Sequence, residues 1–344
     1  MSANRVTSQD VADQVGVSRT TVSLVLNKVP GSQISDDTQR RVIKAAAELG
    51  YVPDAAARAL ASRRAQIVGL VLARGPHHLA SDAFITQILD GLIDVVRHNG
   101  MRLLTDIVEP HHQEGTYLEL VRAKRIDGII LSGPRFDDNA LQSLEEESFP
   151  TVIMGQLPKT ALYSVDIDNS AAARIAVAHL VNLGHYRIAC ITNASTTYTA
   201  AADRLRGYRD ALESAGLHYN EGLVRFGDFD PNSGYKQMKN ILEIKPRPTA
   251  VFVASDVVAF GAMTAIRECG LAIPYDIAIV GFDDVPFARF VDPPLTTVNI
   301  PATELARKSC EVLFQLIKKD FPDEKHMLVD THLVVRQSCG ASLN

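Results

Sequence analysis

Apolar residues recur every three or four positions through the first fifty residues, and polar caps separate the runs. Thr7 is placed to cap a helix, with Asp10 at the partner position of a capping box. Val11, Ala12 and Val15 then share one face, and Gly16 ends the run. Ser18 caps a second helix, Arg19 to Leu26, whose Val22, Val25 and Leu26 form another apolar stripe. Ser35 starts a third, with Val42, Ile43, Ala46 and Leu49 inward and Gly50 at its end. The first two helices, joined by a Gly-containing turn, make a helix-turn-helix pattern. Arg19-Thr20-Thr21 puts donors and a methyl group where a recognition helix meets base edges, although a merely solvated face would look the same.

Beyond residue 64 the pattern changes. Short apolar runs at Ile67–Leu72, Met101–Ile107, Gly128–Leu131, Thr151–Met154, Arg187–Ile191, Ala250–Ala254 and Ile277–Phe282 predict buried strands. Amphipathic stretches at Phe84–Asn99, Asn169–Leu183, Asp203–Ser214, Tyr235–Glu243, Val258–Glu268 and Thr303–Lys318 predict helices between them. Such alternation means an α/β fold with parallel sheets covered on both faces. The run is long enough for two sheets, dividing near Val165–Asn169. Between head and body, Asp54 caps a stretch of strong helix formers, Ala55 to Leu60. The segment 54–62, about nine residues, is shorter than the ~12–15 an isolated helix needs in water, so a partner can order it.

Charge separates the same two regions. The chain of 344 residues has a net charge of -5, which taken whole argues mildly against nucleic acid. Residues 1–64, however, carry nine basic and six acidic side chains, net +3, and the remaining 280 carry 26 and 34, net -8. A basic head on an acidic body suits a DNA-reading module joined to another function. Cys190, Cys269, Cys310 and Cys339 are far apart, so neither a disulfide framework nor a zinc site is indicated. No secretory signal or membrane-length apolar run is present, and a cytoplasmic protein without membrane contact is expected.

Motifs now become specific. Val6-Thr7, Asp10-Val11-Ala12, Gly16-Val17-Ser18, Thr21-Val22-Ser23 and Asn27 occur in order, followed by Ala46-Ala47-Glu48-Leu49-Gly50-Tyr51-Val52-Pro53 and Ala57-Arg58-Ala59-Leu60. Together they closely resemble the headpiece of the LacI/GalR family of bacterial repressors. The likeness continues through Val165-Asp166-Ile167-Asp168-Asn169, Arg204-Leu205-Arg206-Gly207-Tyr208, Gly281-Phe282-Asp283-Asp284 and Pro293-Pro294-Leu295-Thr296-Thr297-Val298. It implies a small all-α helix-turn-helix headpiece plus a two-lobed, periplasmic-binding-protein-like core. The implied headpiece is 1–53 and the hinge helix and linker 54–65. The N-terminal lobe would be 66–166 with 297–325, and the C-terminal lobe 167–296 with 326–344.

By this resemblance Thr7, Ser18, Arg19, Thr20, Thr21, Ser23, Leu24 and Asn27 form the DNA surface, with Arg19 and Thr20 reading the major groove. Ala57, Arg58 and Leu60 belong to the hinge, with Leu60 as a minor-groove wedge. Leu24 departs from the Arg common in the family and leaves an apolar contact, suited to a thymine methyl. The partner implied is pseudo-palindromic operator DNA, bound by a homodimer through Phe260, Phe287 and Phe290.

The effector pocket implied lies between the lobes at the carboxyl ends of strands. Arg204 and Asp283 would hydrogen-bond ligand hydroxyls beside Ser255, with Asp82 and Phe84 from the first loop of the N-terminal lobe. A structural ion pair is the plainer explanation of Arg204 and Asp283, and a core aromatic the plainer one of Phe229, which could otherwise stack on a sugar. Gly155-Gln156 replaces acidic or arginine residues of the family, and Ile300 with Ala302 supplies no polar group, which implies a smaller or less fully hydrogen-bonded ligand. His77-His78 and His111-His112 lack metal-ligand spacing, so no metal is expected. Nucleotide-binding and hydrolase fingerprints are absent, and no catalytic residue or cofactor is expected. The expectation is a repressor of carbohydrate-utilisation genes released by a sugar or polyol. An enzyme with a regulatory head and a solute-binding protein without DNA activity are the rivals.

Overall fold

The computed structural model describes residues 6–27, 31–52, 64–75, 78–109 and 116–341. They fall into two units, divided between Gln66 and Ile67.

The first unit is three helices, Ser8–Val15, Arg19–Leu26 and Asp36–Leu49, around a small core of Val11, Ala12, Val15, Val22, Val25, Val42, Ala45 and Ala46. Their boundaries follow the caps. Thr7 and Asp10 form a reciprocal capping box, Ser18 accepts from the Thr21 amide, and Ser35 from that of Thr38. The bonds from Thr7 hold the Asp10 carboxyl below its usual range. Gly16 and Gly50 end their helices at φ +71° and +67°, where a Cβ would be strained. One expected core position fails: Ile43 is 52% exposed and Ala45 points inward instead. At 100° per residue, Ala45 and Ala46 complete the stripe from Val42, and Ile43 falls beside it.

The second unit carries two six-stranded sheets. Strands β1 (Ile67–Leu72), β2 (Arg102–Ile107), β3 (Gly128–Ser132), β4 (Thr151–Met154), β5 (Tyr163–Asp166) and β11 (His326–Leu328) form the first, all parallel, in the order β2-β1-β3-β4-β5-β11. Strands β6 (Ile188–Thr192), β7 (Val224–Phe226), β8 (Ala250–Val253), β9 (Ala278–Asp283), β10 (Thr296–Asn299) and β12 (His332–Val334) form the second, in the order β7-β6-β8-β9-β10-β12. There only β12 is antiparallel. In both sheets the strand order reverses beside the first strand, β1 or β6. Ligands of open α/β sheets bind at such switch points, outside the carboxyl ends of the strands.

Within the described residues every patterned strand and helix is present, to within a few residues; the hinge helix expected at 54–62 lies outside them. The helix expected from Asp203 begins a turn earlier, as Thr199–Ser214, and that expected from Tyr235 begins at Pro231, behind the capping carboxylate of Asp230. Two domain boundaries are corrected. Strand β10 pairs with β9, so 297–299 belong to the C-terminal lobe, and β11 pairs with β5, so 326–328 belong to the N-terminal one. The chain therefore crosses after Asp166, after Asn299 and after Leu328. Pairing across more than 150 residues, not local pattern, assigns β11 to its sheet. No helix among the described residues is long and apolar enough to cross a membrane.

Candidate functional site

Two surfaces carry the chemistry. In the first unit, Arg19, Thr20 and Ser23 are exposed along the second helix, and Thr21, Leu24 and Asn27 are half-buried. Arg19 Nε donates to Ser8 Oγ at 3.3 Å, and Asn27 Nδ2 to Ser23 Oγ at 3.1 Å. Thr7 and Ser18 act through their caps, which fix how the two helices start. Ala57, Arg58 and Leu60 lie outside the described residues, as do His77, His111 and His112.

The second surface is a cleft between the two lobes. All six effector-site candidates line it: Asp82, Phe84, Arg204, Phe229, Ser255 and Asp283. Each arrives by the same local logic, since strand and helix ends meet there. Arg204 projects from the second turn of Thr199–Ser214 and is buried. Its guanidinium donates to Asn169 Oδ1 at 2.8 Å and to the Ala254 carbonyl at 2.7 Å, lies 3.4 Å from Asp283 Oδ1, and stacks 4.0 Å from the Phe282 ring centre. Arg204 and Asp283 thus form an ion pair that also faces the cleft. Asp283 ends β9 with φ +116°, an unusual conformation for a non-glycine residue and the kind that clusters at functional sites. Burial pushes its carboxyl up to about 6, against the pull of Arg204.

Sequence patterning missed six polar residues of this cleft: Arg74, Ser132, Asp166, Asn169, Asn193 and Tyr198. Arg74 follows β1, forms a buried ion pair with Asp82, and stacks 4.2 Å from the centre of the Phe229 ring. Asp82 in turn caps the helix Ala83–His98 by accepting from the Phe84 amide at 2.9 Å. Burial raises the Asp166 carboxyl to about 7, although Asn169 donates to it at 3.0 Å. Asn193 follows β6, and its carbonyl accepts the Phe229 amide at 2.8 Å. The rule that residues just past strand ends face the cleft, used for Ser255 and Asp283, would have found Arg74 and Asn193 too. Gly155 and Ile300 do line the cleft, as nonpolar wall. The required polar groups come from other strands.

The arrangement offers hydrogen-bond donors and acceptors around an aromatic ring, and the Ser255 hydroxyl donates to the Asp283 carboxylate. His78, Asp228 and Asp230 place possible ligand atoms within 4.8 Å of one another. Within this group His78 Nδ1 accepts the Gly75 amide at 3.2 Å, His78 Nε2 lies 3.6 Å from Asp228 Oδ2, and Asp230 Oδ1 caps Ser233 at 2.9 Å. Away from the cleft, Phe287 and Phe290 are 62% and 71% exposed, and Phe260 is half-buried against the second-lobe core.

Residues 7–54 match the model of bacterial regulatory proteins of the lacI family, and residues 177–339 that of a periplasmic binding protein-like domain. Over 97% of the chain, 36% of residues are identical to the HTH-type transcriptional regulator CelR of Thermobifida fusca, covering 98% of that protein. The chain belongs to the LacI family. It is a ligand-responsive, DNA-binding transcriptional regulator, and its close relatives are regulators rather than enzymes. The repressor CytR of Escherichia coli K12 is 33% identical over 97% of this LacI-family chain and 96% of its own length. Among solved structures, the lac repressor dimer bound to operator and the anti-inducer ONPF superposes with a TM-score of 0.87. It is 31% identical and covers 98% of this chain and all of that one, 100%. The CelR–cellobiose complex gives 0.74 at 34% identity, covering 97% and 100%.

Proposed function

We propose that this LacI-family chain is a homodimeric cytoplasmic repressor of carbohydrate-utilisation genes, released from a pseudo-palindromic operator by a small sugar or polyol. The observation that carries the effector class is the cleft itself. Two guanidiniums, three carboxylates and two carboxamides line one space. Hydroxyl groups are the ligand chemistry that serves both: each can accept from an arginine and donate to a carboxylate. The cellobiose bound by CelR, a relative alignable from end to end, supports the same class.

The expected mechanism couples two binding events. Arg204 and Asp283 sit on the C-terminal lobe, and Asp82 and Phe84 on the N-terminal one, so a ligand touching both sets favours one angle between lobes. The N-terminal lobe precedes the hinge segment 54–65, whose folding on the operator centre depends on how near its partner copy lies. Dimer contacts would come from Phe287 and Phe290, with Phe260 behind them. Coupling is reciprocal: ligand and operator change each other's affinity by the same factor, typically about 5–150-fold.

The test is selection of genomic fragments by the purified full chain, followed by gel shifts with saccharides and polyols, cellobiose included. The expected fragments flank carbohydrate genes, and a saccharide dissolves the complex. A specific complex that no saccharide or polyol weakens would overturn the effector class.

A further inference from the structure

Two buried side chains in the cleft have unspent hydrogen-bonding atoms, and they come from opposite lobes. Arg74 is 7% exposed and Asn193 is 5% exposed. Arg74 Nε and Asn193 Oδ1 have no hydrogen-bond partner, and both residues line the cleft. Leaving such groups unpaired away from water is costly, so they mark where a ligand is to bond. Both follow the strands at which their sheets reverse order, β1 for Arg74 and β6 for Asn193. Both also adjoin Phe229: the Arg74 guanidinium lies 4.2 Å from its ring centre, and the Asn193 carbonyl holds its amide.

We propose that Arg74 and Asn193 form an interlobe recognition pair for one ligand hydroxyl, which accepts from Arg74 Nε–H and donates to Asn193 Oδ1. This deepens the sugar-effector function and rests on it. A hydroxyl is the smallest group that answers a lone donor and a lone acceptor at once. It would tie the N-terminal lobe to the C-terminal lobe through a single atom, where the Arg204–Asp283 pair holds the ligand from the C-terminal lobe alone. Phe229 then acts as a positioning residue. Its face carries the Arg74 guanidinium, which Asp82 also holds through Nη1, so Nε keeps its direction. The cleft also holds three carboxylates against two guanidiniums, each guanidinium already facing a carboxylate. An uncharged saccharide therefore fits, and a phosphorylated one meets no uncommitted cation.

Calorimetric titration of the full chain with cellobiose, glucose, glucose 6-phosphate and a series of monodeoxy derivatives of whichever sugar binds tests this. Arg74→Lys keeps a cation for Asp82 but has no Nε–H; Asn193→Ala removes the acceptor. Each is expected to weaken the bound sugar about tenfold or more. One deoxy derivative should bind wild type equally weakly and be indifferent to both substitutions. Phe229→Leu should weaken the sugar in wild type and do little in the Arg74→Lys background. If wild type binds a sugar and both variants bind it with unchanged affinity, the pair is overturned while the sugar-effector function stands. Tighter binding of glucose 6-phosphate than of glucose overturns the charge argument. Wild type binding none of the sugars overturns that function and this inference together.

Discussion

Arg204 holds the Ala254 carbonyl at 2.7 Å while lying 3.4 Å from the Asp283 carboxylate, so one buried guanidinium ties the end of β8 to the end of β9. It lines the cleft and braces the lobe at the same time. The ion pair that was the plainer alternative is present, and the ligand contact expected from sequence is a proposal that the following experiment tests.

Arg204→Ala is therefore expected to leave operator binding intact and abolish the response to effector, as read by gel shift with and without the sugar. It also leaves Asp283 without its cation and two acceptors without a donor. Breaking a buried pair this way costs about 3–5 kcal/mol, which urea denaturation would register. An unaltered sugar response would remove Arg204 from the effector site.

Asp166 supplies a pH dependence of known sign. Its folded carboxyl is raised by burial to about 7 from an ordinary 3.8, so the folded state holds the proton more tightly. The stability this contributes is complete below pH about 4 and lost as pH rises through about 7. Asp166→Asn can still accept from Asn169 and cannot ionise. The variant should gain on wild type between pH 5 and pH 8, by an amount on the order of a few kcal/mol, in urea melts at both pH values. A constant difference between the two proteins would show that Asp166 does not titrate there.

Gly207 lets two helices touch. A Cβ there would collide with the Ser170 carbonyl and press on Ala173, separating Thr199–Ser214 from Asn169–Asn182. Those helices carry Arg204 and Asn169, whose bond is 2.8 Å. Gly207→Ala is expected to destabilise by about 1–3 kcal/mol or more and to weaken effector binding in parallel. A Tm equal to that of wild type would mean that the helices can part without cost.

In the DNA-binding part, Leu60→Ala should lose most of the operator preference and keep non-specific binding, because a wedge acts only where the DNA is kinked. Arg19→Met should cost about 1–3 kcal/mol on the operator if its contact is to a base edge. Gel shifts on operator and scrambled duplexes separate the two effects. Unchanged operator affinity in Leu60→Ala would exclude the wedge.

What sequence could and could not reveal follows from where the information lies. The cleft positions of Ser255 and Asp283 were legible because strands announce themselves as apolar runs, and their carboxyl ends converge on a cleft; that of Arg204, on a helix, came from the resemblance of its motif. Phe229 was visible as an aromatic past a strand, but its neighbour was not. That Arg74, far away in the chain, covers the Phe229 ring depends on how two lobes meet, and no local pattern encodes it. The same holds for β10, β11 and β12, each three or four residues long and given its place by a partner strand. Ile43 shows the smaller failure, where two alanines suffice to fill a core that pattern assigned to a larger side chain.

The order of the strands also sets a schedule for synthesis. The headpiece uses the first residues made and can fold as soon as they leave the ribosome. The N-terminal lobe cannot close its sheet until β11, residues 326–328, has arrived, and the helix Ala302–Lys318 that covers it is nearly as late. A truncated chain would thus carry a finished DNA reader on an unfinished sensor. Premature termination between the headpiece and β11 would leave the three head helices with their complete core and the sensor with an incomplete sheet.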